Sequence, residues 1–171
     1  MTPERKIFNE EILPKFINEY VKENDVVVDI GKPNDGWGYK QLFSKATYQT
    51  LDRHDWLQPD IVMDLECIDK HQLFKGYADC AVAMGVWEQC DNPFKLYDGI
   101  LALLKPKGYA LLGIMLTGFP LIQDLDLHRF TEQGVFKLLR DCKIEHLKIC
   151  NRDGIPSYAF AIVRNVPPYT E

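Results

Sequence analysis

The chain has 171 residues, 46% hydrophobic and 26% charged, with a formal net charge of −5. That length is enough to bury one core without a structural metal or disulfides, and the acidic balance argues against a nucleic-acid backbone as main partner, because phosphate binding leaves a basic footprint. The five cysteines are scattered at positions 67, 80, 90, 142 and 150. With no CxxC pair, they read neither as a disulfide framework nor as a metal site.

The N-terminal stretch MTPERKIFNEEILPKF lacks the apolar core of a signal peptide, and no apolar run is long enough to span a bilayer. One cytoplasmic domain over 1–171 is expected. Along it, Ile7, Phe8, Ile12, Phe16, Ile17 and Tyr20 recur at helical spacing, which predicts an amphipathic helix over 4–23 that Pro14 kinks or splits. The run DVVVDIG then predicts a first strand buried on both faces. YQTLD (48–52), DIVMDL (60–65) and DCAVAMGV (79–86) are the next strand candidates, with a short helix or turn over 67–75. Helical spacing over 93–104 ends at Lys105-Pro106-Lys107-Gly108, a stop-and-turn signal. YALLGIML (109–116) reads as a fifth strand and 131–142 as a helix capped by Thr131. EHLKIC (145–150) and SYAFAIVR (157–164), joined by NRDGIP, read as an antiparallel hairpin. Strands alternating with helices imply an α/β fold with a core over 26–164: a mostly parallel seven-stranded sheet with one antiparallel strand and helices on both faces.

In such sheets ligands bind beyond the carboxyl ends of the strands, so the loop after Gly31 is the first place to look. A P-loop fails there, because Gly31 and Gly36 have the right separation but Trp37 stands where lysine is needed. A dinucleotide fingerprint fails as well, with glycines at 31, 36 and 38. An adenosyl ligand without phosphates needs a glycine for close approach and a carboxylate ending the second strand to accept the ribose hydroxyls. Asp52 stands in that place. Asp64, ending the third strand, is placed to receive an adenine amino group, with the Leu65 amide beside it.

At this point the chain resembles the class I S-adenosylmethionine-dependent methyltransferases of the compact small-molecule and surface-sugar type. VVVDIG is similar to the family's first motif, YQTLD to its second-strand acid, and PDIVMDLE to its third-strand segment. DCAVAMGVWEQCDNPFKLYDGILALLKPKGYALLGI is similar to its central strand–helix–strand stretch, and HRFTEQGVFKLL to its late helix start. The first glycine loop diverges: Lys32-Pro33 follow Gly31 where the family has Gly-x-Gly. Glu88-Gln89 stands for the usual Glu-His.

The resemblance implies S-adenosyl-L-methionine as cofactor and methyl transfer to an O or N nucleophile of a small molecule, a sugar included. It implies cofactor contacts from Asp29, Gly31, Asp52, Arg53, Asp64, Leu65, Met84, Gly85 and Trp87. Trp37 is a second candidate wall for the pocket, and His54 a candidate at the cofactor's edge. His128, in the loop after the fifth strand, is the candidate base or substrate contact, since imidazole titrates nearest neutral pH; Arg129 beside it would bind an anionic substrate or pair with a neighbouring acid. No metal site, nucleic acid or membrane is expected. Acceptor recognition falls to a short lid from the N-terminal helix and residues 116–130, or to a partner or second subunit. The alternative is a methyltransferase-like module without turnover, serving as a binding or interaction domain, with the divergent loop filling the pocket.

Overall fold

The computed structural model describes residues 2–31, 39–120 and 126–166. The glycine loop from Lys32 to Gly38, with Pro33 and Trp37, lies outside them, as do residues 121–125 of the candidate lid and the tail PPYTE.

Seven strands form one sheet: β1 (Val26–Ile30), β2 (Thr47–Asp52), β3 (Ile61–Val62), β4 (Ala78–Met84), β5 (Leu104–Met115), β6 (Cys142–Arg152) and β7 (Ile155–Asn165). Their order is β3-β2-β1-β4-β5-β7-β6. Every pairing from β3 to β5 is parallel, and β7 runs antiparallel to both β5 and β6. The expected fold class is therefore the observed one. The winding reverses at β1, which lies between β2 and β4, and a crevice opens there at the carboxyl ends of the strands.

Alternation along β1 divides the core in two. Val28 and Ile30 pack on one face with Leu96, Tyr97, Ile100 and Leu103, whereas Val27 packs on the other with Phe8, Ile12, Leu13 and Phe16. The first group comes from α3 (Pro93–Leu103), whose start is fixed by Asn92: its Oδ1 accepts the Phe94 and Lys95 N–H groups, and Pro93 needs no partner there. The second group belongs to the N-terminal helix. That helix runs as α1 (Pro3–Ile7), one π turn (Phe8–Ile12) and α2 (Leu13–Tyr20), so it ends earlier than expected. The π turn is how the chain accommodates Pro14, with the Leu13 N–H reaching Phe8 O, five residues back.

Two further expectations are corrected. The third strand is cut to two residues because its flanking acids are used elsewhere: Asp60 Oδ2 accepts from Thr50 N and Oγ1, and Asp64 Oδ1 accepts from Glu66 N, capping the 3-10 turn Leu65–Lys70. Lys105–Gly108 do not separate helix from strand. β5 starts at Leu104 opposite Ala78, bulges through Lys107 at φ +68°, and resumes with Tyr109 opposite Cys80. The last helix, α4 (Glu132–Leu138), is shorter than expected but capped by Thr131 as read, and the hairpin turn is Asp153-Gly154, both at positive φ.

Gly99 seats α3 on the Leu65–Lys70 turn, where an added Cβ would stand 2.1 Å from Leu65 O. Alanine would gain about 1 kcal/mol of helix propensity. A clash with a backbone carbonyl cannot be relieved by a rotamer change, so strain wins. Gly99→Ala is expected to destabilise by about 2 kcal/mol, roughly 4–8 °C in Tm for a chain of this size, read by thermal unfolding.

Candidate functional site

The cleft at the winding switch has a volume of about 440 Å³. That is within the roughly 300–1,000 Å³ of small-molecule sites. It is built strand by strand from residues leaving β1 to β4.

From β1 comes Gly31, at φ +82°, whose N–H donates to Leu51 O at 2.8 Å. A Cβ on Gly31 would lie 2.4 Å from Val86 Cγ1. The position thus demands glycine twice, for its left-handed backbone and for the close approach of the wall after β4.

From β2 come Asp52, Arg53 and His54. Asp52 is 9% exposed, and its Oδ1 accepts the His54 N–H at 2.8 Å. Its Oδ2 has no hydrogen bond to the described residues, and Asp52 is one of the residues that line the cleft. Arg53 Nη2 donates to Gln89 O at 2.9 Å, and Nη1 lies 3.9 Å from an Asp91 oxygen. The guanidinium thereby ties the end of β2 to the segment after β4. His54 lines the cleft, with its ring beside the exposed Trp56 at 5.7 Å between centroids.

From β3 come Asp64, Leu65 and Glu66. Asp64 spends one oxygen on its capping bond. The two carboxylate oxygens of Glu66 accept the Asp91 and Asn92 N–H groups at 2.9 and 2.7 Å. From β4 come Met84, Gly85 and Val86. Gly85 is at φ +67° and a Cβ there would meet open space. Arg53 and Glu66 therefore clamp the β4 segment from two sides. Neither bond is visible in spacing, because each depends on how parallel strands lie beside one another.

The cleft brings together Gly31, Asp52, Arg53, Asp64, Leu65, Met84 and Gly85. Three other expected residues are placed elsewhere. Asp29 is 3% exposed and accepts a hydrogen bond from the Tyr48 hydroxyl on the face covered by the N-terminal helix. Burial pushes its carboxyl up to about 7, against the lowering effect of that bond. Trp87 is fully buried in the core on the opposite face, with α3. His128 does not line the cleft, and its Nε2 is enclosed without a hydrogen-bond partner among the described residues. Next to it, Arg129 is committed to its own loop. It pairs with Asp126 through Nε and Nη2 and donates to the carbonyls of Leu116, Phe119 and Pro120.

Cys90 also lines the cleft, but burial pushes its thiol up to about 12 and its Sγ donates to Trp87 O. It is a packing group there, not a thiolate. Among the described residues no cluster of three His, Cys, Asp or Glu side chains is placed to hold a metal ion, and no helix is long and apolar enough to cross a membrane.

No family model matches the chain, and no curated protein sequence matches it. Solved structures do. N-methyltransferase NodS from Bradyrhizobium japonicum, in complex with S-adenosyl-L-homocysteine, is similar over 98% of this chain and 89% of its own, with a TM-score of 0.68 at 12% identity. The 1,6-didemethyltoxoflavin-N1-methyltransferase of Burkholderia thailandensis, also with bound S-adenosylhomocysteine, gives a TM-score of 0.66 at 16% identity, over 95% of this chain and 82% of that one. A SAM-dependent methyltransferase from Methanosarcina mazei gives 0.65 at 17% identity, over 88% and 97%. At such identities the likeness establishes the fold: a Rossmann-like sheet of the kind these methyltransferases have.

Proposed function

We propose that this chain is an enzyme that binds S-adenosyl-L-methionine in the cleft and passes its methyl group to an O or N nucleophile of a small molecule, sugars included. The observation that carries this reading is Asp52, a cleft-lining carboxylate at the end of β2 with one oxygen fixed by its own turn and the other without a hydrogen bond to the described residues. A pair of ribose hydroxyls fits that oxygen. Asp64 and Leu65 flank the place for the adenine. The positive-φ glycines 31 and 85 bring bare backbone to the place for the methionine portion. Bound there, the cofactor supplies an electrophilic sulfonium methyl. The protein's part is to hold the two reactants close and in line, which is most of what such a transfer requires. Arg53 keeps the β2 and β4 walls together around the site.

The cleft that the described residues enclose, about 440 Å³, has the size of a small-molecule site. Calorimetric titration of the folded protein with S-adenosylmethionine and S-adenosylhomocysteine is the test. Micromolar binding of both is expected. No binding to either would overturn the proposal in favour of the non-catalytic module.

A further inference from the structure

Trp56 lines the cleft and is 65% exposed, whereas Met63, Leu65 and Leu96, which line the same cleft, are buried in the core. Among the described residues it is also the only Trp, Tyr or Phe in the lining. A large aromatic ring left in water at the rim of a cleft has apolar surface to gain by covering whatever binds there.

The turn that carries this side chain is fixed. Trp56 stands on the 3-10 turn Asp55–Leu57, closed by the Gln58 N–H donating to Asp55 O at 2.8 Å. At its start the His54 N–H donates to Asp52 Oδ1 at 2.8 Å, and the His54 ring accepts from Arg53 Nε at 3.2 Å. The indole is held by far less. Among the described residues no hydrogen bond engages its Nε1, and the one ring beside it is that of His54, 5.7 Å away and tilted by 39°. A rotamer change alone can move it, with no hinge in the backbone.

The fold also says which end of the cleft it serves. The turn leaves β2 just past Asp52, and the Met63 N–H donates to Asp52 O at 2.9 Å, so Asp64 and Leu65 follow β3 beside the same residue. Trp56 thus belongs to the β2–β3 end, with Asp64 and Leu65, and not to the end formed by Met84 and Gly85 after β4. A flat ring bound at that end has Met63, Leu65 and Leu96 on its core side. Its other face is left to water unless a side chain of the rim covers it.

We propose that Trp56 is the movable wall of the cleft, and that its indole turns onto the nucleobase of the bound ligand and stacks on it. This rests on the cofactor reading above, in which the adenine lies beside Asp64 and Leu65. Stacking engages the face of the base and leaves its edge to Asp64 and the Leu65 amide. It is indifferent to what the ribose carries at its far end, so it contributes equally to S-adenosylhomocysteine and to adenosine.

The test combines tryptophan emission with calorimetry, using S-adenosylhomocysteine and adenosine as probes. Saturating S-adenosylhomocysteine is expected to quench the wild-type emission. Trp56→Phe keeps a ring to stack and removes the reporter. It is expected to lose most of that quenching while its affinity stays within about threefold of wild type. Trp56→Ala is expected to weaken both probes by the same factor, about tenfold. The residue is mostly exposed, so the three proteins are expected to share one thermal unfolding curve. Full quenching retained in Trp56→Phe, unchanged affinity in Trp56→Ala, or a loss for S-adenosylhomocysteine without a parallel loss for adenosine would each overturn the proposal with the cofactor reading intact. Failure of S-adenosylhomocysteine to bind the wild-type protein is a separate result, and it removes both.

Discussion

Replacing Asp52 by alanine is expected to weaken S-adenosylmethionine and S-adenosylhomocysteine alike by tenfold or more. A hydrogen bond to a charged group contributes about 1.5–3 kcal/mol, which is roughly 10- to 150-fold in affinity. Alanine removes more than the ligand contact. It also releases the His54 N–H, and with it the turn that presents Arg53 to Gln89 O. Asparagine separates the two effects, since its side-chain oxygen can still accept from His54 N while the charge is lost. Asp52→Asn is therefore expected to fall between wild type and alanine, with a thermal stability close to wild type. Paired calorimetric titrations give the comparison. Unchanged affinity in the alanine variant would take Asp52 out of the site.

The features legible in the sequence are those that local chemistry determines. The central strands β1 and β4 could be read because buried parallel strands are continuous apolar runs, and the antiparallel pair β6 and β7 because a turn signal joins them. Thr131 could be read as a cap, and Asp153-Gly154 as a turn, because both act through their own backbone neighbourhood. Asp52 and Asp64 could be placed at the cleft because Asp52 ends β2 and Asp64 follows β3 by two residues, and ligands gather at strand ends. What could not be read depends on pairing across the chain. Asp29 and Ile30 are adjacent, yet they point to opposite faces, and nothing in VVVDIG says which face opens on the cleft. Tyr48 becomes the partner of Asp29 only through the β1–β2 register, in which Asp29 lies opposite Thr50. The contact between Gly31 and Val86 and the clamp from Glu66 to Asp91 are likewise products of neighbouring strands. Trp87 shows the same limit. As an aromatic just past a strand end it suits a pocket wall, but its ring is packed under α3.

Asp29 gives the largest expected effect on stability. Its carboxyl rises from about 3.8 to about 7 on folding because burial disfavours the charge. Below pH 4 both the folded and the unfolded chain keep the proton, and the residue costs nothing. Above that the unfolded chain releases it first, so stability falls as pH rises, by about 1.4 kcal/mol per pH unit. The fall levels off above pH 7, at a total of about 4 kcal/mol. Asp29→Asn has no such titration, and its stability is expected to change less by that amount between pH 4 and 8, measured by urea unfolding at each pH. Glu88, also raised by burial, tilts the curve in the same direction in both proteins and cancels in the difference. Tyr48→Phe provides the opposite check. The Tyr48 hydroxyl lowers the Asp29 value, so its removal is expected to carry the falling limb beyond pH 7. Parallel curves for wild type and Asp29→Asn would mean that Asp29 is ionised in the folded protein, held by a cation the described residues do not supply. The residue would then have to be placed among the groups facing the glycine loop, not beneath the N-terminal helix.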